Sequence, residues 1–201
     1  MVDVGAKKAT RRVAVATTFV FFSNPEPSRL IAENSNRKGD VLSVARVAGI
    51  MAAKRTSDLI PLCHPIPISK IEVDLEQCPR PDTRKPHERG ETTSEANDAI
   101  RITSLVECHG PTGVEMEALT SVMGAALTVF DMCKAVDRDM SIASSKVEYK
   151  SGGRSGLHCT QTWAAKKGKE WFEGRGLEVP DISNIGNKAK EGTKLRRPRR
   201  G

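Results

Sequence analysis

Large rings are scarce in this sequence: Phe, Trp and Tyr together make up 4% of 201 residues. A core must then be built from Val, Ile, Leu, Ala and Met, which suits a compact α+β domain, and the length allows one such domain with a tail to spare. Paired cysteines are missing too. Cys63, Cys78, Cys108, Cys133 and Cys159 are odd in number, widely spread and nowhere in a C-x-x-C pair. That excludes a disulfide framework and a zinc site of the usual spacing, and leaves free thiols that act as small apolar residues in a reducing compartment. No run approaches the roughly 20 apolar residues needed to span a bilayer. Lys7, Lys8, Arg11 and Arg12 ahead of Val13 to Phe22 imitate a signal peptide. Thr17 and Thr18 interrupt that apolar run, however, and Asn24-Pro25-Glu26-Pro27 stands where small residues would flank a cleavage site. No membrane partner is expected.

Widespread basic charge is also lacking, despite a formal net charge of +7. Residues 164–201 hold eleven Lys/Arg against five Asp/Glu, a net +6, which leaves +1 for residues 1–163. The folded part therefore has no general basic face of the kind that holds nucleic acid, and any anion it binds must meet a focused cluster. The Walker A spacing is absent, which removes the simplest NTPase.

What is present is a regular succession of elements. Arg11 to Phe22 alternates Val13, Val15, Thr17, Phe19 and Phe21 against Ala14, Ala16, Thr18 and Val20, the pattern of a strand. Pro27 to Asn34 reads as a short helix. Asp40 caps a second helix from Val41 to about Ser57, whose core face is expected to be Val44, Val47, Ala48, Met51 and Ala52. Pro61, Pro65 and Pro67 keep Leu62-Cys63-His64 out of any helix. Ile68 to Leu75 and Ala99 to Cys108 are alternating strands, joined by a long polar loop from Cys78 to Asp98 that reads as mobile. The longest helix runs from about Val114 to Ala135, with Met116, Leu119, Met123, Ala126, Leu127 and Phe130 as its apolar stripe. Strands near Ser144 to Lys150 and Leu157 to Trp163 close the domain. Setting aside the first helix and the last strand leaves βαββαβ: an α+β, ferredoxin-like (split βαβ) fold with an antiparallel sheet and two main helices on one face. The domain is expected to span residues 1–163, and residues 164–201 to be a basic, disordered tail whose loss from residue 170 onward costs little.

Within this frame a few residues can carry chemistry. Asp131 and Lys134, at i and i+3 on one side of the long helix, form a carboxylate–ammonium couple suited to acid/base work, or else a surface salt bridge. Three cationic clusters can receive phosphate: Arg11-Arg12, Lys38-Gly39-Asp40, and Lys150-Ser151-Gly152-Gly153-Arg154-Ser155-Gly156, where glycines let backbone N–H groups turn toward an anion. His64 and His109 are candidate proton carriers. Glu115 and Glu117 open the long helix, where carboxylates also favour the positive end of the dipole.

Taken together, Lys38-Gly39-Asp40-Val41, Ala52-Ala53-Lys54-Arg55-Thr56, Asp58 to Pro65, Thr112 to Leu119, Phe130 to Ala135 and Lys150-Ser151-Gly152-Gly153 resemble the MoaC family, in order, over about residues 1–157. The resemblance implies a cyclic pyranopterin monophosphate synthase of molybdenum-cofactor (molybdopterin) biosynthesis. Such a lyase turns 3′,8-cyclo-7,8-dihydroguanosine triphosphate, the product of an upstream radical GTP-cyclising enzyme, into cyclic pyranopterin monophosphate with loss of pyrophosphate. It further implies a homohexamer, a trimer of dimers, with sites at dimer interfaces. Asp131, Lys134 and His64 are the implied catalytic residues, and Leu62, Cys63, His64, Met116, Glu117, Glu115, Lys38, Arg12 and Lys150 the implied substrate contacts. No cofactor is called for, and Mg²⁺ at the phosphate step is left open. With the site shared, Asp131 and Lys38 are expected to come from different subunits.

The family carries a short segment ahead of Met-Val-Asp-Val, which here begins at Met1, so a truncated chain or a piece of a fusion is expected. The cytoplasm is the expected location. The long 78–98 loop and the tail point weakly to a eukaryotic source, for which the mitochondrial matrix is the alternative. The rival functional class is a non-catalytic nucleotide- or RNA-binding module of ferredoxin-like fold, which would carry stacking aromatics on its central strands. Ile68 to Leu75 and Ala99 to Cys108 have none.

Overall fold

A computed structural model describes residues 1–79 and 98–181. The chain runs β1 (Thr10–Phe21), α1 (Glu26–Ala32), α2 (Val41–Lys54), α3 (Thr56–Leu59), β2 (Ile68–Cys78), β3 (Ala99–Gly110), α4 (Glu115–Cys133), β4 (Ser141–Ser151), β5 (His158–Cys159), α5 (Gln161–Lys167) and α6 (Lys169–Glu173). The sheet order is β2-β3-β1-β4-β5 with every neighbour antiparallel, the α+β arrangement expected from βαββαβ. The expected 78–98 loop falls almost wholly outside the described residues.

The long period-2 pattern of β1 decides its central place. Ala14, Ala16, Val20 and Phe22 face the helices, while Val13 and Val15 face the opposite side. Helix α4 lies across β1, β3 and β4, and α2 packs on both α4 and β2. Asp40 caps α2 by accepting from the Ser43 amide at 3.0 Å. By length and composition α4 is the one helix among the described residues able to cross a membrane, but here it is the central helix of the core.

The core faces of both helices differ in part from the expected stripes. Those of α2 are Val41, Ala45, Gly49 and Ala53, and those of α4 include Ala118, Ser121, Val122, Ala125 and Val129 beside the expected Ala126, with the expected Leu119 and Phe130 packed against the core. Small residues win these positions because the helices approach closely: a Cβ on Gly124 would lie 2.5 Å from the Ala52 methyl. The larger Val44, Val47 and Met51 are pushed outward, 46%, 60% and 44% exposed, and Leu127 of α4 is outward too.

The expected strand Leu157 to Trp163 is corrected, and so is the expected disorder over residues 164–181; the rest of the expected tail lies outside the described residues. Only His158–Cys159 are strand, and α5 and α6 then fold onto the back of the sheet. Trp163, Phe172 and Leu177 are buried there on Val13, Val15, Leu105 and Tyr149, so core packing continues past Leu177 and a boundary at 163 cuts through α5. Arg175 reinforces the contact, bonding Glu72 of β2 at 2.7 Å and stacking on Trp171. The rings escaped a charge-based reading because Lys and Gly dominate their neighbourhood. Phe172→Ala should therefore cost about 3 kcal/mol, the scale of a buried ring, and lower the Tm by about 6–12 °C in a chain of this size. Thermal unfolding of the variant checks this. An unchanged Tm would return the segment to a dispensable tail.

Candidate active site

Helix α4 presents chemistry at both ends. At its C-terminal end Asp131 is clamped between two ammonium groups: Lys134 Nζ lies 2.6 Å from Oδ1 and Lys38 Nζ 2.6 Å from Oδ2. Lys38 also donates to the Asp131 carbonyl at 2.8 Å. Hydrogen bonds from Lys134 first and Lys38 second hold the Asp131 carboxyl down to about 2, so it is an anion at any working pH. The three side chains remain about half exposed, open to a small molecule. Lys38 and Asp131 meet within one subunit, which corrects the expectation that they come from different ones. The i, i+3 spacing showed the Lys134 contact, whereas a sequence separation of 93 hid the Lys38 contact.

At the N-terminal end the Gly-rich turn after β4 meets the start of β1. Arg12, Lys150, Glu115 and Thr112, with Lys7 and Arg154, line a cavity of about 320 Å³. Gly152 is required where the turn crosses β1: its φ is +94°, and a Cβ there would fall 2.1 Å from the Arg11 carbonyl oxygen. Arg12 donates only to the carbonyls of Gly110 and Pro111, at 3.3 Å each, and among the described residues no carboxylate neutralises it. Lys150 is shared by Glu115 at 3.2 Å and Ser155 Oγ at 2.9 Å. A concave cluster with four cations and one carboxylate is suited to an anion. Lys7 and Arg154 were not among the expected contacts. Arg154 already stood in the glycine-rich segment, while nothing in the sequence brought Lys7 to it.

The proline-rich loop lies at the same end. Cys63 is half-buried, its thiol raised by burial and then by the charge of Glu117, and His64 beside it is half-buried too. Glu117 is buried at 3% exposure, and that desolvation raises its carboxyl above the ordinary range, with the Glu115 charge adding to it. Leu62 and Met116 are exposed apolar residues at this end. Expected site residues thus form two groups: Arg12, Leu62, Cys63, His64, Glu115, Met116, Glu117 and Lys150 at one end of α4, and Lys38, Asp131 and Lys134 at the other. Sixteen residues of helix, about 24 Å at 1.5 Å per residue, separate Glu115 from Asp131. Among the described residues no three His, Cys, Asp or Glu side chains gather as a metal site.

This fold and these two clusters define an α+β protein whose fixed cations and charged carboxylate–ammonium group suit a small anionic molecule. Residues 1–153 match the model of the MoaC family, and the chain belongs to that family. It is 53% identical over 158 residues to a cyclic pyranopterin monophosphate synthase of Methylobacterium sp. (strain 4-46), covering 79% of this chain and 88% of the relative. It is 52% identical over 156 residues to one of Thermomicrobium roseum, covering 78% and 84%.

Proposed function

We propose that this chain is a cyclic pyranopterin monophosphate synthase of molybdenum-cofactor biosynthesis. It converts 3′,8-cyclo-7,8-dihydroguanosine triphosphate, supplied by a radical enzyme acting on GTP, to the cyclic monophosphate and pyrophosphate. The observation that carries the reading is the Asp131 carboxylate clamped by Lys38 and Lys134 in a chain of the MoaC family. In this reading Asp131 does not move protons, because a carboxylate held near 2 is too weak a base. It aligns two ammonium groups, of which Lys134 is the proton carrier, and His64 serves the other end of the substrate. Arg12 and Lys150 receive the triphosphate and meet the charge that grows as pyrophosphate leaves. Lys38 belongs to the carboxylate group rather than to the phosphate cations.

The two groups act on one molecule only if a second subunit closes the distance, since a nucleoside triphosphate does not stretch along the whole of α4. Self-association is supported by the outward Val44, Val47, Met51 and Leu127, an apolar surface of the kind that marks interfaces. A homohexamer built from dimers, with the Asp131 group of one subunit facing the Arg12 cavity of its partner, satisfies both. Five free thiols fit the reducing cytoplasm. The rival nucleic-acid reading would use Phe19 and Phe21, stacked at 5.6 Å on central β1. The cations beside them, Arg101 and Lys146, are already paired with Glu76 and Glu148. Incubation with the cyclised triphosphate decides between them: stoichiometric pyrophosphate and pterin product support the synthase, and tight binding without turnover supports the module.

Glu117 offers a separate check. Because burial raises its carboxyl, the folded chain holds that proton to higher pH than the unfolded chain does. Stability therefore falls as pH rises from the unfolded value through the folded one. Glu117→Gln should have a Tm equal to or above that of the wild type at pH 8, with the difference vanishing in acid, while turnover drops at least tenfold. A lower Tm at pH 8 would show that the carboxylate has a stabilising partner.

A further inference from the structure

The loop that carries Lys38 is tied to α4 by a residue outside the clusters above. Like every helix, α4 leaves the carbonyls of its last turn without helical donors. Those of Asp131, Met132 and Cys133 are each taken. Cys133 O accepts from the amides of Val136 and Asp137. Asp131 O accepts from Lys38 Nζ, and Met132 O from Asn36 Nδ2 at 3.2 Å. The other end of the same Asn36 amide accepts from the Lys38 backbone N–H at 2.9 Å. One half-buried side chain therefore clasps both the last turn of α4, which bears Asp131, and the backbone from which the Lys38 ammonium reaches it.

We infer that Asn36 is a positioning residue: it fixes the Lys38 ammonium against Asp131, and so sets the geometry of the carboxylate group without touching substrate. The inference rests on the reading that Lys38, Asp131 and Lys134 perform the chemistry. A lysine has four side-chain torsions, so a free loop would let the ammonium wander. Misplacement on the scale of an ångström lowers rates by up to about 10². The asymmetry of the amide makes the idea testable. Asn36→Asp keeps the acceptor for the Lys38 N–H but turns a carboxylate toward the Met132 carbonyl, which breaks the clasp and spares the turn.

The experiment measures kcat and KM for Asn36→Ala and Asn36→Asp in wild-type and Lys38→Ala backgrounds, with Asp131→Ala as control. Both Asn36 variants should lose about tenfold in kcat, with KM within twofold because Asn36 touches none of the cations that line the anion cavity. In the Lys38→Ala background either change should alter kcat by less than twofold, since the residue it positions is gone. Equal losses in both backgrounds, or losses confined to KM, would overturn the inference in favour of a general structural role. Should Asn36→Ala fail to fold, Asn36→Asp alone supplies the same comparison. An inactive Asp131→Ala beside an Asn36→Ala of full kcat would defeat the clasp alone. A fully active Asp131→Ala would remove the catalytic reading, and the clasp with it.

Discussion

Lys134→Arg should lose about 10² or more in kcat, the scale on which a general acid/base is missed, while its Tm and assembly stay near those of the wild type. Lys134 Nζ sits 2.6 Å from Asp131 Oδ1, and a guanidinium in its place still offers donors to that carboxylate. The clamp and its charge therefore persist. What disappears is a group able to give up a proton at working pH, because a guanidinium stays protonated. Stability should hardly register the change, since the pair is more than half exposed and solvent screens such pairs. A salt bridge with no chemical role predicts the reverse, with Arg serving as well as Lys. Near-normal turnover in a correctly assembled variant would remove Lys134 from the mechanism. The pH profile adds a second reading: with Asp131 ionised down to about 2, any acid limb seen above pH 4 belongs to another group.

Much of this site was legible in the sequence, for identifiable reasons. Strands β1, β2 and β3 announce themselves by period-2 alternation over eight or more residues, and Asp131 with Lys134 by helical spacing. Local pattern carries both signals. The core faces of α2 and α4 were misread in part, because apolar size is a poor guide where two helices touch through Gly49, Gly124 and alanines, leaving Val44, Val47 and Met51 outside. A pattern search assigns the bulkiest stripe to the core, whereas this stripe is free for a second subunit. Lys38 was grouped with the phosphate cations because its partner lies 93 residues away, and the Asn36 clasp was hidden for the same reason. Trp163, Trp171 and Phe172 were lost in a run of Lys and Gly, although three rings within ten residues can seldom stay in water.

The central claim, a site completed by two subunits, is tested most directly by mixing inactive variants. If the Asp131 group of one subunit serves the Arg12 cavity of its partner, then Asp131→Ala and Arg12→Ala subunits, each inactive alone, form mixed dimers with one intact site and one doubly damaged site. With random pairing, half the dimers are mixed and half their sites are intact. Co-expression in equal amounts should therefore restore about a quarter of wild-type turnover per subunit, as a two-fold interface requires. Asp131→Ala mixed with Lys38→Ala is the internal control. These residues share one cluster in one subunit, so every site in that mixture stays damaged and turnover should remain at the level of the parents. Restoration by the first mixture and not the second is the predicted result. A first mixture as inactive as its parents, or a second that recovers, would contradict it.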